Sequence, residues 1–191
     1  MSREDQKKFE DYGYVLDDLS QGKMIGSRQS FRNEPLVQLV GEYYFTLLEA
    51  VPRSGSTMLI HERLYIGKEL PREKISHVIG RINYDDLSST AKIELPPIIE
   101  DIVIKNEKPF IKFFNIAQPV TPRMHSLELI PGIGKKYTWT ILRCREEQIF
   151  QSFEDIKNRT GLSDPAKLIA KRILEELVEK ELKYRLFTRT V

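Results

Sequence analysis

The spacing of apolar residues changes period near residue 88, and a chain with such a change must form two kinds of layer. Before it, short runs rich in β formers are separated by turn residues. "YGYVLDDL" (12–19) is one strand candidate. "PLVQLVGEYYFTLLEAV" (35–51) is a long one, interrupted by Gly41, which marks a bulge. "PRSGS" (52–56) is turn chemistry. In "TMLIHERLYIGK" (57–68), Met58, Ile60, Leu64 and Ile66 alternate with His61, Arg63 and Tyr65, as on a half-buried strand. "KISHVIGRINY" (74–84) supplies a further strand. Short strands with curvature points predict a small antiparallel barrel.

After residue 88 the period is helical. Ser88 or Ser89 is a fitting N-cap, and Pro96 and Pro97 are expected to break the helical run into two pieces. Phe110, Phe113 and Phe114 fit the buried stripe of a short helix. From residue 123 onward two helix-turn-helix units succeed each other. In the second, Ser152 with Asp155 reads as a capping box and Asp164–Pro165 as N-cap and first helical residue. Ala166, Ile169, Ala170, Ile173, Leu174, Leu177 and Val178 form one apolar stripe. The predicted class is α+β: an antiparallel β-barrel over 1–86, a helical connector over 87–122 and an all-α domain over 123–191.

Composition narrows the function classes. Hydrophobic content of 40% in 191 residues is enough for a real core. Charge is unevenly placed. Residues 120–191 carry 14 Lys and Arg against 10 Asp and Glu, net +4, and residues 1–119 carry 16 against 18, net −2. Cys144 is the only cysteine, which excludes an internal disulfide and a cysteine zinc cage. The charged start "MSREDQKKFED" does not fit a secretory signal, and no apolar run approaches a membrane span. A soluble cytoplasmic protein is expected.

The stretch "LELIPGIGKK" (127–136) carries the sharpest chemistry. Pro131 ends the preceding helix, Gly132 supplies positive φ, and Ile133 plugs the turn into the core. Gly134 leaves the first N–H groups of the next helix open, a ready site for phosphate. Lys135 and Lys136 stand in a first turn where the helix dipole favours acids, so an anion would reward them. This stretch resembles the helix-hairpin-helix motif. That resemblance implies that Gly132, Ile133, Gly134, Lys135 and Lys136 hold the sugar-phosphate backbone of nucleic acid without reading sequence. The second unit, "NRTGLSDP", keeps Gly161 and Leu162 but lacks the Pro-Gly-Ile-Gly core, and Asp164 would cap its own helix. It reads as the packing mate of the first. Lys167 and Lys171 either add phosphate contacts or belong to a solvated face, with Lys171 paired to Glu175 and Arg172 to Glu176.

Almost end to end, the chain resembles an archaeal family of unknown function. "ERLYIGK", "FFNIAQPVTPRMHSLELIPGIGKK" and "SFEDI" carry the match. The family is described as nucleotide- or nucleic-acid-binding, and the resemblance implies an oligonucleotide-binding barrel joined to a helix-hairpin-helix domain. On such a barrel, Arg63 and Tyr65 either offer charge and stacking to an RNA or a single strand, with Lys68, Arg72, Lys74 and Arg81 extending the groove, or are the polar outward residues of an ordinary half-exposed strand.

No phosphate-loop signature, nucleophile elbow or HExxH occurs. His61, His77 and His125 lack metal-ligand spacing, and His125 reads as ordering the entry to a helix. Asp17–Asp18, Asp85–Asp86 and Glu100–Asp101 are adjacent in sequence, which suits turns and caps better than a two-metal site. The expected role is therefore non-catalytic, without metal or cofactor: nucleic-acid binding to RNA or DNA, with a protein-docking adaptor in a ribosomal, tRNA or repair assembly as the alternative.

Overall fold

A computed structural model describes residues 9–19 and 35–189; the charged start over 1–8 lies outside them. The chain divides into two compact units, residues 1–98 with 187–191, and residues 99–186. The division falls inside a helix. The division cuts the stretch 87–122, and Phe187–Arg189 group with the first unit.

The first unit holds β1 (Tyr12–Leu19), β2 (Leu36–Gly41), β3 (Leu47–Pro52), β4 (Arg63–Tyr65) and β5 (Ile75–Arg81). They form one antiparallel sheet in the order β4-β1-β2-β3-β5, curled into a half-barrel. Val15, Val37, Leu39, Leu48, Ala50, Met58, Leu64, Ile66 and Ile75 fill the curl. The central strand β2 is buried on both faces, so its sequence does not alternate cleanly. Gln38 is fully buried in it, donating to Glu49 and to the Asp86 carbonyl while accepting from the Ser88 N–H.

The closed barrel is not found among the described residues, because β4 and β5 remain the outer strands. Between them the chain runs as a loop that Arg72 fastens to itself, its Nε donating to the carbonyls of Ile66 (3.0 Å) and Gly67 (2.9 Å). The expected strand over 57–68 shrinks to Arg63–Tyr65. His61 sits at φ 69°, turning the chain before the strand, and Ile60 is exposed where alternation would bury it.

The run 35–51 is likewise two strands and not one with a bulge. Register irregularities fall between Val15 and Asp17 on β1, and between Glu49 and Ala50 and between Val51 and Pro52 on β3, not at Gly41. Glu10 makes the turn: its buried carboxylate accepts the backbone N–H groups of Tyr43 (2.9 Å), Tyr44 (2.9 Å) and Thr46 (3.1 Å). Burial pushes the Glu10 carboxyl above the usual carboxylate range, and these donors pull it back.

α1 (Ser89–Lys105) begins at Ser88, whose Oγ accepts from the Ala91 N–H (3.0 Å) and donates to Asp17 (2.6 Å). Pro96 and Pro97 lie inside α1 and do not break it. Both are exposed, while Leu95, Ile98, Ile99, Ile102 and Val103 on the other side are buried. The apolar stripe outweighs the two backbone bonds that the prolines remove, to the carbonyls of Lys92 and Ile93.

The rest of the second unit contains α2 (Glu107–Ile116), a short ribbon of β6 (Pro119–Thr121) with β7 (Met124–His125), α3 (Lys135–Glu147), α4 (Phe153–Thr160) and α5 (Pro165–Val178). Before α3 stands only a 3₁₀ turn, Ser126–Leu129, in place of the helix expected there. Four residues before a proline cannot complete a stable α-helix. Phe110 and Phe114 are buried on α2 and Phe113 is half-buried.

Candidate nucleic-acid interface

The turn at 130–134 is built from its flanks. The Nδ1 of His125 accepts the Leu127 N–H (3.1 Å), and Glu128 accepts the His125 N–H (2.9 Å), which together cap the 3₁₀ turn. His125 is thus buried as an orderer of the entry. Burial, then the Arg145 guanidinium, lower its pKa, partly offset by Glu128 and the Ala117 carbonyl. Leu127, Ile130 and Ile133 are buried, and the Ile133 N–H donates to the Ile130 carbonyl (3.0 Å). Gly132 has φ 90°. Gly134 is the N-cap of α3, in extended conformation, with open space where a Cβ would be.

No side chain caps α3, and its first turn holds no acid. Lys135 and Lys136 are both exposed there, and neither ammonium has an ion-pair or hydrogen-bond partner among the described residues. α4 and α5 differ: the Ser152 Oγ accepts the Asp155 N–H and the Asp164 Oδ1 accepts the Lys167 N–H, both at 3.0 Å. The capping reading of Ser152 and Asp164 therefore holds, and Pro165 is the first residue of α5.

The two turns nest. A Cβ on Gly132 would stand 3.2 Å from the Leu168 side chain on α5, and the Tyr137 hydroxyl donates to the Gly161 carbonyl (3.4 Å). Lys167 and Lys171 flank Leu168 on α5 and are exposed. The pairing expected between Lys171 and Glu175 is absent; Glu175 faces Arg172 at 3.8 Å. The Arg172–Glu176 pair (2.9 Å) forms, but it is buried and not part of a solvated face. Arg172 also donates to the Tyr184 carbonyl, and the Leu186 N–H donates to Glu176, both at 2.6 Å.

Much of the basic surplus is structural. Arg145 donates to the Phe114 (3.0 Å) and Ala117 (2.9 Å) carbonyls at the end of α2. Arg159 does the same at the end of α3, to Cys144 and to Gln148 (2.8 Å). Arg185 donates to Glu176 and to Glu179 (2.9 Å) at the end of α5. Each quenches carbonyls left over by a helix. Cys144 is buried and free. The exposed cations of α3 and α5 are Lys135, Lys136, Arg143, Lys167 and Lys171.

Arg63 and Tyr65 lie in the other unit and are already engaged. The Arg63 guanidinium grips Glu42 with two bonds (2.9 and 2.7 Å), which raises its pKa, and lies 3.5 Å from the centre of the Tyr12 ring. The Tyr65 hydroxyl accepts the N–H groups of Glu69 (3.0 Å) and Leu70 (2.9 Å), and its ring meets Tyr12 edge-on. Lys74 is paired to Glu62 (2.6 Å) and Lys68 stands over Phe9. His61 bonds Glu94 (2.6 Å).

One residue on α3 is not marked out by the sequence patterns above. Trp139, on the outer face of α3, is 72% exposed. Its signal is its place, three and four residues after the paired lysines. Among the described residues, no group of His, Cys, Asp and Glu could hold a metal ion, and no helix is long and apolar enough to cross a membrane.

Fold and site together describe an α+β protein with a half-barrel unit and a helical unit whose α3 starts without a side-chain cap or a first-turn acid and with two exposed lysines. The chain belongs to the DUF655 family, a protein family of unknown function, whose model matches residues 9–189. It is 44% identical over 184 residues to Uncharacterized protein MJ0038 of Methanocaldococcus jannaschii, covering 96% of this chain and 82% of that protein. It is also similar to the crystal structure of Af1531 from Archaeoglobus fulgidus, with TM-score 0.84 and 46% identity over 94% of this chain and all of that one.

Proposed function

We propose that this protein binds nucleic acid, RNA or DNA, by its sugar-phosphate backbone and without sequence specificity. On this reading the 130–136 turn is a helix-hairpin-helix element and the half-barrel is an oligonucleotide-binding relative with no catalytic task. The observation that carries the proposal is the start of α3, with no cap, no first-turn acid and two exposed lysines. Uncapped N–H groups and the helix dipole already favour an anion. Two lysines there cost stability, about 0.3–1 kcal/mol each, unless an anion is bound. Lys167 and Lys171, beside Leu168, extend the same positive surface. Arg63 and Tyr65 contribute less, because Glu42 neutralises the one and the 69–70 backbone occupies the hydroxyl of the other.

The test is a salt series. Each duplex phosphate neutralised adds about −0.9 to the slope of log K against log salt. Changing Lys135 and Lys136 together to Gln flattens that slope by nearly two units on two unrelated duplexes and a structured RNA. The loss is alike on all sequences, since backbone contacts carry no base information. A wild-type slope in the folded double variant refutes the turn as the contact. A protein partner retained from extract after nuclease treatment, with no binding to purified nucleic acid, supports the adaptor instead.

A further inference from the structure

We infer that Trp139 is a stacking platform for an unpaired base, so that the surface around α3 takes single-stranded nucleic acid and not duplex alone. The inference rests on the reading of the 130–136 turn as a phosphate site. Trp139 contributes nothing visible to the fold: it is 72% exposed, while the residues α3 buries are Thr138, Ile141 and Cys144. Its ring has no aromatic or cation partner among the described residues.

Helical spacing places it among cations. Lys135 and Lys136 lie four and three residues before it and Arg143 four after it, and all three are exposed. The acids of α3, Glu146 and Glu147, lie in its last turn. A flat apolar ring ringed by positive charge is ill-suited to an apolar protein surface, which would strand those charges. It suits a polyanion with exposed π-faces. The scale also fits: the Trp139 backbone lies four residues, about 6 Å along the axis, beyond the helix start at Lys135. A nucleotide whose phosphate rests on the Gly134–Lys136 N–H groups reaches that far with its base. In a duplex that base face is already covered by its neighbours, so the platform selects unpaired nucleotides.

Trp139 is the only tryptophan, so its emission reports on this surface alone. The experiment titrates the full chain with a single-stranded oligonucleotide and with a blunt duplex of the same sequence, following emission and affinity. The single strand is expected to quench the emission and the duplex to leave it nearly unchanged. Trp139→Ala is expected to lose roughly 5- to 150-fold in single-strand affinity while keeping the wild-type salt slope, since stacking is not ionic. Trp139→Phe retains most of the affinity. Single-strand binding without quenching, or an unchanged Trp139→Ala affinity, overturns the stacking role and leaves the lysine contacts standing. A blue shift that follows protein concentration without nucleic acid assigns the ring to self-association and also overturns it. Absence of binding to either probe removes the phosphate reading and this inference together.

Discussion

The side chain of Leu168 closes over Gly132, 3.2 Å from where a Cβ would stand, so the second turn of the helical unit packs on the first. Gly132 thus meets two constraints, a backbone φ of 90° and a close neighbour, whereas Gly134 meets neither.

The two glycines are therefore expected to part company on substitution. Gly132→Ala strains a left-handed residue and presses on Leu168, costing about 1–2 kcal/mol of stability. Gly134→Ala has an extended backbone and open space, and costs at most about 1 kcal/mol, as a poorer N-cap. Its methyl group, however, stands at the helix start where a phosphate would approach. Thermal unfolding alongside binding separates the effects. Equal destabilisation by both would contradict the geometry.

The turn between β2 and β3 should fail without Glu10. Glu10→Ala orphans three N–H groups, of Tyr43, Tyr44 and Thr46, at about 1–3 kcal/mol for each donor that water cannot reach. A loss of at least about 2 kcal/mol in urea unfolding is expected. Glu10→Gln falls between, because its amide group must face one of those donors. A neutral Glu10→Ala would mean that the turn holds itself.

Stability should fall on mild acidification through His125. Its folded pKa lies below the ordinary 6.5, chiefly through burial, so the unfolded chain takes up the proton first. The contribution of neutral His125 is complete above about pH 6.5 and is lost as pH falls through the lowered folded value. Protonating Nδ1 would also remove the acceptor of the Leu127 N–H. Against His125→Asn, which caps without titrating, wild type should lose ground between pH 7 and pH 5. Parallel unfolding curves across that range would show that His125 titrates alike in both states.

Features governed by a few neighbouring residues are legible from the chain alone. The caps at Ser88, Ser152 and Asp164, the extent of β1 and the first part of the α5 stripe, Ala166, Ile169, Ala170 and Ile173, depend on residues within a turn or a strand of one another. Beyond it Leu174 and Leu177 are half-buried and Val178 is exposed, while Arg172 and Glu176 are buried instead. The glycine turn and its lysines are legible for the same reason. The expected break at Pro96–Pro97 fails because local propensity has no knowledge of how much apolar surface α1 buries.

Whatever depends on distant partners was decided only in three dimensions. The sequence alone determined where helix can start, which faces are apolar and that a flexible, cationic turn precedes α3. Tertiary structure decided that Glu10 divides one apparent strand into two across more than thirty residues, and that the sheet stays open between β4 and β5. It decided the fate of the charges as well. In the sequence, Arg63, Arg145, Arg159, Arg172 and Arg185 look no different from the cations that stay on the surface, yet each is bound to a carboxylate or to helix-end carbonyls. A guanidinium must be near a suitable acceptor in space to be neutralised, and spacing along the chain does not report that distance. By the same rule Lys135 and Lys136 stayed free, and Trp139 was left facing solvent beside them.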